Sequence, residues 1–310
     1  MKEVSGALYA GFSLLVLASS VAANTTEAIE DVVPDARDPY CSTCIKVNTT
    51  CYNMSYLFDL TANFRKEVVI KKMGILRSSN VLYYSFEPVI SDAEYYKVAF
   101  VSLEDPSNSG VLNVTGPNRL NFGFFDINQN EDSIYLGGSD GIYVLNTKTH
   151  RITSYSSIGD TITNVVLKDY LYFSKEGEKG IIKKKGDQFN IILDDDVVKN
   201  FVLDKEVEYI VVYLKATGLY AYESKTGKKV RLSKNAFFRG LTVDLDGVVY
   251  AWWIDSVYKV TLAKDIAHSR IEKVADIPSI GAMMFDNENN ILFTSDKALF
   301  RLVKTAVTNC

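Results

Sequence analysis

The sequence predicts an all-β chain, one short sheet repeated around a ring, and three observations lead there. First, almost no stretch shows the apolar period of an amphipathic helix. Second, runs of β-branched and aromatic residues recur: VLYYS from Val81, SIYLG from Ser133, YLYFS from Tyr170, YIVVY from Tyr209, VVYAW from Val248 and ILFTS from Ile291. Their starts lie roughly 40 residues apart, a period that, with three or four strands per unit, marks a β-propeller. Third, Cys41, Cys44 and Cys51 lie early in the chain while Cys310 is its last residue, so pairing among all four brings the two ends together. Six units give a six-bladed β-propeller, its ring closed by an N-terminal strand and a disulfide.

Taken in order, residues 1–23 read as a secretory signal. Lys2 supplies a thin positive start, Ala7–Ala18 is apolar, and Val21-Ala22-Ala23 offers small residues for cleavage. The apolar run is shorter than the ~20 residues that span a bilayer. Residues 24–40 are acidic, carry two prolines and show no periodicity, as expected of a loose leader. Residues 41–310 then form a single propeller domain. The sequons at Asn24, Asn48, Asn53 and Asn113 agree with secretion and predict glycosylation. Four cysteines in a secreted chain suggest two disulfides in one of three connectivities. A zinc site at Cys41-x-x-Cys44 is disfavoured by the oxidising compartment and the lack of a second such pair.

Within each unit a recurrent run is followed by a turn and a further strand, from YKVAFVSL at Tyr96 and GIYVLNTK at Gly141 to ALFRLVK at Ala298. Most are preceded by a short apolar strand closing in an acidic or amide turn, as in FGFFDINQN from Phe122, FVLDKE from Phe201, LTVDLDG from Leu241 and MMFDNENN from Met283. The last unit, from about Pro278, has three strands, and the segment Cys41–Asn53 is expected to supply its fourth. The apolar share of 47% suffices for a sizeable core. The net charge of −4 gives neither a nucleic-acid footprint nor a polybasic membrane patch, and we expect a monomer.

Several motifs invite a chemical reading. Gly137–Gly141 (GGSDG) fits the G-x-S-x-G of serine hydrolases, but that elbow needs a helix after the turn, and here a strand follows. The two histidines, His150 and His268, stand in no triad-like setting, so no catalytic residue is assigned. Asp126–Glu131 (DINQNE) and Asp286–Asn290 (DNENN) resemble calcium loops, yet recur where ordinary turns belong, and neither a metal nor another cofactor is expected. Lys183-Lys184-Lys185 reads as a solvated strand or edge guard. The surplus is aromatic: 19 Tyr, 16 Phe and the pair Trp252-Trp253, of which alternation buries one. We expect a ligand site at the channel mouth, where Phe122, Asn164, Asn200, Arg239 and Gly281 stand four or five residues before each turn acid, and take Phe122, Asn164, Asn200, Arg239, Trp252 and Met283 as candidates. That mixture of aromatics, amides and a cation suits a flat polar aromatic molecule with a carboxylate.

The segments GGSDGIYVLNTKT (Gly137–Thr149), FRGLTVDLDGVVYA (Phe238–Ala251) and FDNENNILFTSDKALFRL (Phe285–Leu302) resemble the insect ommochrome-binding proteins. These are secreted lepidopteran haemolymph and tissue proteins that carry phenoxazinone pigments. The resemblance implies a secreted carrier of a xanthommatin-like tryptophan metabolite, acting without chemistry. LTVDLDGVVYAWW is also similar to the gluconolactonase-like propellers, Ca²⁺ hydrolases whose metal is held by Glu and Asn/Asp on successive inner strands. Asn164 and Asn200 match two of those places, whereas Arg239-Gly240 and Gly281-Ala282 offer no acid. A protein-binding propeller is the third expectation.

Overall fold

The computed structural model describes residues 44–89, 95–112, 121–204 and 210–305. The signal, the leader, Cys41, Cys310 and the sequons at Asn24 and Asn113 lie outside the described residues. The described chain opens with an antiparallel hairpin, β1 (Cys44–Val47) and β2 (Thr50–Asp59). Four four-stranded antiparallel sheets follow. They are β3 (Ile70–Leu76), β4 (Val81–Phe86), β5 (Lys97–Ser102) and β6 (Ser109–Val111); then β7 (Phe124–Asn128), β8 (Ser133–Gly138), β9 (Gly141–Asn146) and β10 (Arg151–Ser156). Next come β11 (Ile162–Leu167), β12 (Leu171–Lys175), β13 (Ile181–Lys185) and β14 (Gln188–Ile192); then β15 (Asn200–Leu203), β16 (Ile210–Lys215), β17 (Gly218–Glu223) and β18 (Lys228–Ser233).

The remaining strands are β19 (Gly240–Val243), β20 (Val249–Trp252), β21 (Ser256–Thr261), β22 (Arg270–Asp276), β23 (Met283–Phe285), β24 (Ile291–Ser295) and β25 (Ala298–Lys304). They join the hairpin in one nine-stranded sheet, ordered β19-β20-β21-β22-β1-β2-β25-β24-β23. The strand pairing with β25 is thus Thr50–Asp59, which begins later than the expected Cys41–Asn53 segment. Cys44–Val47 of that segment instead makes β1, which meets β22 at Val47 opposite Ala275.

The first strands pack side by side in a closed ring: β3 against β7, then β11, β15, β19 and β23, which returns to β3. Sheets that alternate side chains to both faces must bury both, and here each face meets the next sheet. Phe125, Ile134 and Leu136 of one sheet pack with Tyr83 and Val98 of its neighbour. Phe201 and Tyr213 likewise pack with Tyr172 and Ile181. The recurrent runs are the second strands, covered on both faces; Ile134, Phe173, Val212 and Leu292 are wholly buried. The chain is therefore an all-β, propeller-like fold.

Candidate functional site

Among the described residues the inner edge of each first strand has no strand beside it, so its backbone groups need partners from elsewhere. Neighbouring sheets supply them through polar side chains. Ser85 Oγ donates to Gly123 O at 3.0 Å and Gln129 Nε2 to Ile75 O at 2.8 Å. Arg77 Nη1 donates to Asp286 O at 2.9 Å, and Lys168 Nζ to Asp204 O.

Three of the six residues expected at the mouth, Asn164, Arg239 and Trp252, share this role, and Asn200 accepts from the first of them. Asn164 is buried; its Nδ2 donates to Asn200 Oδ1 at 3.3 Å and to Phe201 O at 3.4 Å, so the two amides do meet. Arg239 Nη1 donates to Ile280 O at 2.9 Å and Trp252 Nε1 to Gly281 O at 3.2 Å. The Trp252 ring lies so close over Gly240 that a Cβ there would sit 2.3 Å from it. Phe122 and Met283 are 2% and 3% exposed and pack among apolar side chains. Trp253, the other half of the tryptophan pair, is exposed and stacks on Phe237.

A cleft of about 450 Å³ opens where β7 and β11 begin. Its lining includes Lys71, Tyr96, Asn121, Phe124, Thr163 and Lys199. Asn121, Thr163 and Lys199 are each the residue before an expected one (Phe122, Asn164, Asn200), which the sequence reading passed over. Alternation along an extended chain supplies the signal that finds them. Lys71 Nζ lies 5.6 Å from the Tyr96 ring centre and 5.4 Å from that of Phe124, so the ammonium and two aromatic faces form one surface. Lys175, also in the lining, is held by Asp160 at 2.9 Å, and that bond raises its pKa.

Inside the ring a second cavity of about 290 Å³ is lined by all six first strands. It contains Asp126, whose Oδ2 accepts from Leu167 N at 2.7 Å and Oδ1 from Ile127 N at 3.0 Å. Burial raises this carboxyl above the ordinary carboxylate range, although Lys72 and the two N–H groups pull the other way.

GGSDG forms the hairpin between β8 and β9, with Gly138 opposite Gly141 and Ser139-Asp140 as its two-residue loop. Ser139 also borders the cleft. Asp140 accepts from Tyr143 Oη at 2.9 Å. The lysine triplet lies on β13, one strand in from the edge. Lys183 sits over the rings of Tyr170 and Tyr172, and Lys184 over those of Tyr155 and Phe189. Among the described residues no three His, Cys, Asp or Glu side chains gather as a metal site would need.

No family model matches the sequence, and no curated protein does. Solved structures share the fold. A gluconolactonase from Xanthomonas campestris is similar with a TM-score of 0.61 at 11% identity, over 84% of this chain and 95% of that one. The WD40 repeats of RRP9 give 0.56 at 7% identity, over 84% and 100%. A streptogramin B lyase gives 0.50 at 9%, over 82% and 98%. At these identities the likeness is one of β-propeller fold alone.

Proposed function

We propose that the chain is a secreted six-bladed propeller that carries a small aromatic anion, of the xanthommatin-like class, in the mouth cleft and without chemistry. The observation carrying this reading is the Lys71 ammonium held over Tyr96 and Phe124 in a cleft of about 450 Å³. Aromatic faces stack on a flat ring system, and Lys71 and Lys199 meet its carboxylates. The volume falls in the usual range for small-molecule sites. In this reading the nine-stranded sheet is two blades, β19–β22 and β23–β25 with β2, joined edge to edge by β1. Cys51, which is disulfide-bonded, belongs to the covalent closure that ties Cys310 to the N-terminal cysteines. The insect haemolymph setting rests on the family resemblance, and glycosylation rests on the four sequons together with the expected secretion.

A second reading, a Ca²⁺-dependent lactonase, is favoured by the Asn164–Asn200 contact and the gluconolactonase-like fold. Titration with xanthommatin separates the two. The carrier is expected to red-shift the pigment's absorbance, and Lys71→Met to weaken binding by about tenfold through loss of one charge-assisted contact. EDTA-sensitive lactone hydrolysis without any spectral change overturns the carrier reading.

A further inference from the structure

The cavity inside the ring differs chemically from the mouth cleft, because its wall is divided. The half contributed by β3, β7, β11 and the turns after them carries all of its ionisable side chains, Lys72, Arg77, Asp126 and Lys168. The half from β15, β19 and β23 is mainly apolar, with Val202 and Met284 among its residues. Three cations stand against one carboxylate, so the field inside favours an anion.

Two of those cations are already held by neutral carbonyls: Arg77 by Asp286 O at 2.9 Å and Lys168 by Asp204 O. Asp126 accepts two backbone N–H groups. Lys72 is half-buried and, among the described residues, its ammonium makes no hydrogen bond or ion pair; its electrostatic neighbour is Asp126. A partly buried ammonium without a hydrogen-bond partner gains from one that enters with a ligand. Apolar surface on the other half gains from a hydrocarbon tail.

We propose that this cavity binds a small amphipathic carboxylate, its head on the Lys72 ammonium and its apolar tail against Val202 and Met284. The site is separate from the pigment cleft: adjacent residues of β3 serve the two, Lys71 the cleft and Lys72 the cavity.

Isothermal titration of the whole chain with hexanoate at neutral pH tests this, with acetate, hexanamide and hexylamine as probes of tail and charge. Hexanoate is expected to bind about tenfold or more tightly than acetate, because the added methylenes are buried. Hexanamide and hexylamine are expected to give no heat of binding. Lys72→Met is expected to weaken hexanoate by about tenfold or more, and Lys72→Arg to restore it, as a charge-assisted contact requires. Thermal melting of both variants checks that they fold. Lys72→Met should leave the pigment titration at its wild-type value, so failure here is distinguishable from failure of the carrier reading. The proposal is overturned if hexanoate does not bind, if hexylamine matches it, or if Lys72→Met melts like wild type and binds hexanoate unchanged.

Discussion

Asp126 joins two neighbouring first strands: it sits on β7 and accepts from Leu167 N on β11. The same position costs the protein something, because burial raises the carboxyl's pKa in the folded chain. The folded state therefore holds its proton to higher pH than the unfolded state. That preference stabilises the fold fully below the ordinary carboxylate range of about 4, and the contribution is lost as pH rises through the raised value. Asp126→Asn removes the titration while keeping an acceptor for one N–H. Urea denaturation of both proteins, from about pH 4 to about pH 8, is expected to show the variant gaining stability relative to wild type as pH rises. A constant difference would mean that Asp126 titrates normally in the fold. Asn164 is the neutral counterpart: its Oδ1 accepts from Val165 N at 3.0 Å and its Nδ2 satisfies Phe201 O. These side chains were visible as polar residues in apolar strands, but their partners were not. Each accepts from or donates to the backbone of the next sheet, about 40 residues away, and no local pattern encodes that meeting.

At the scale of the element, the hairpin β8–β9 shows why GGSDG needs its glycines. Gly141 has φ +103°, in the left-handed region. Gly138 is closer still to its neighbours: a Cβ there would lie 1.4 Å from Asn121 O, so no side chain fits. Gly138→Ala is expected to cost about 3 kcal/mol or more, since backbone rather than a flexible side chain must move. Ser139→Ala, exposed in the loop, is expected to stay within about 0.5 kcal/mol of wild type. Thermal melting of the two variants checks both, and equal melting temperatures would mean the turn tolerates a Cβ. Second strands such as β8 were legible in the sequence because both their faces are covered, which demands a run of β-branched and aromatic residues. The cleft was legible only to within one residue. Thr163 and Asn164 are chain neighbours, yet extended backbone sends them to opposite sides, one to the cleft and one to the next sheet.

At the scale of the molecule, the ends of the chain do the work of closure. Tyr52 pairs with Lys304 and Asp59 with Ala298, so β2 covers the outer edge of β25. That pairing joins residues about 240 positions apart, so forming it costs more loop-closure entropy than pairing neighbouring strands. Thr305 N donates to Cys51 O at 3.0 Å, which extends the pairing past the strand. Cys51 is 1% exposed and disulfide-bonded. Without β2, β25 would present an open row of backbone donors and acceptors, a template for pairing with another molecule. A chain beginning at residue 60 is therefore expected to aggregate, while one beginning at residue 44 keeps β1 and β2 and stays dispersed. Size-exclusion chromatography with light scattering on the two truncations decides the matter. A monodisperse chain from residue 60 would show that the ring holds without its N-terminal strand, and the seam would lose its claim to be what protects the edge.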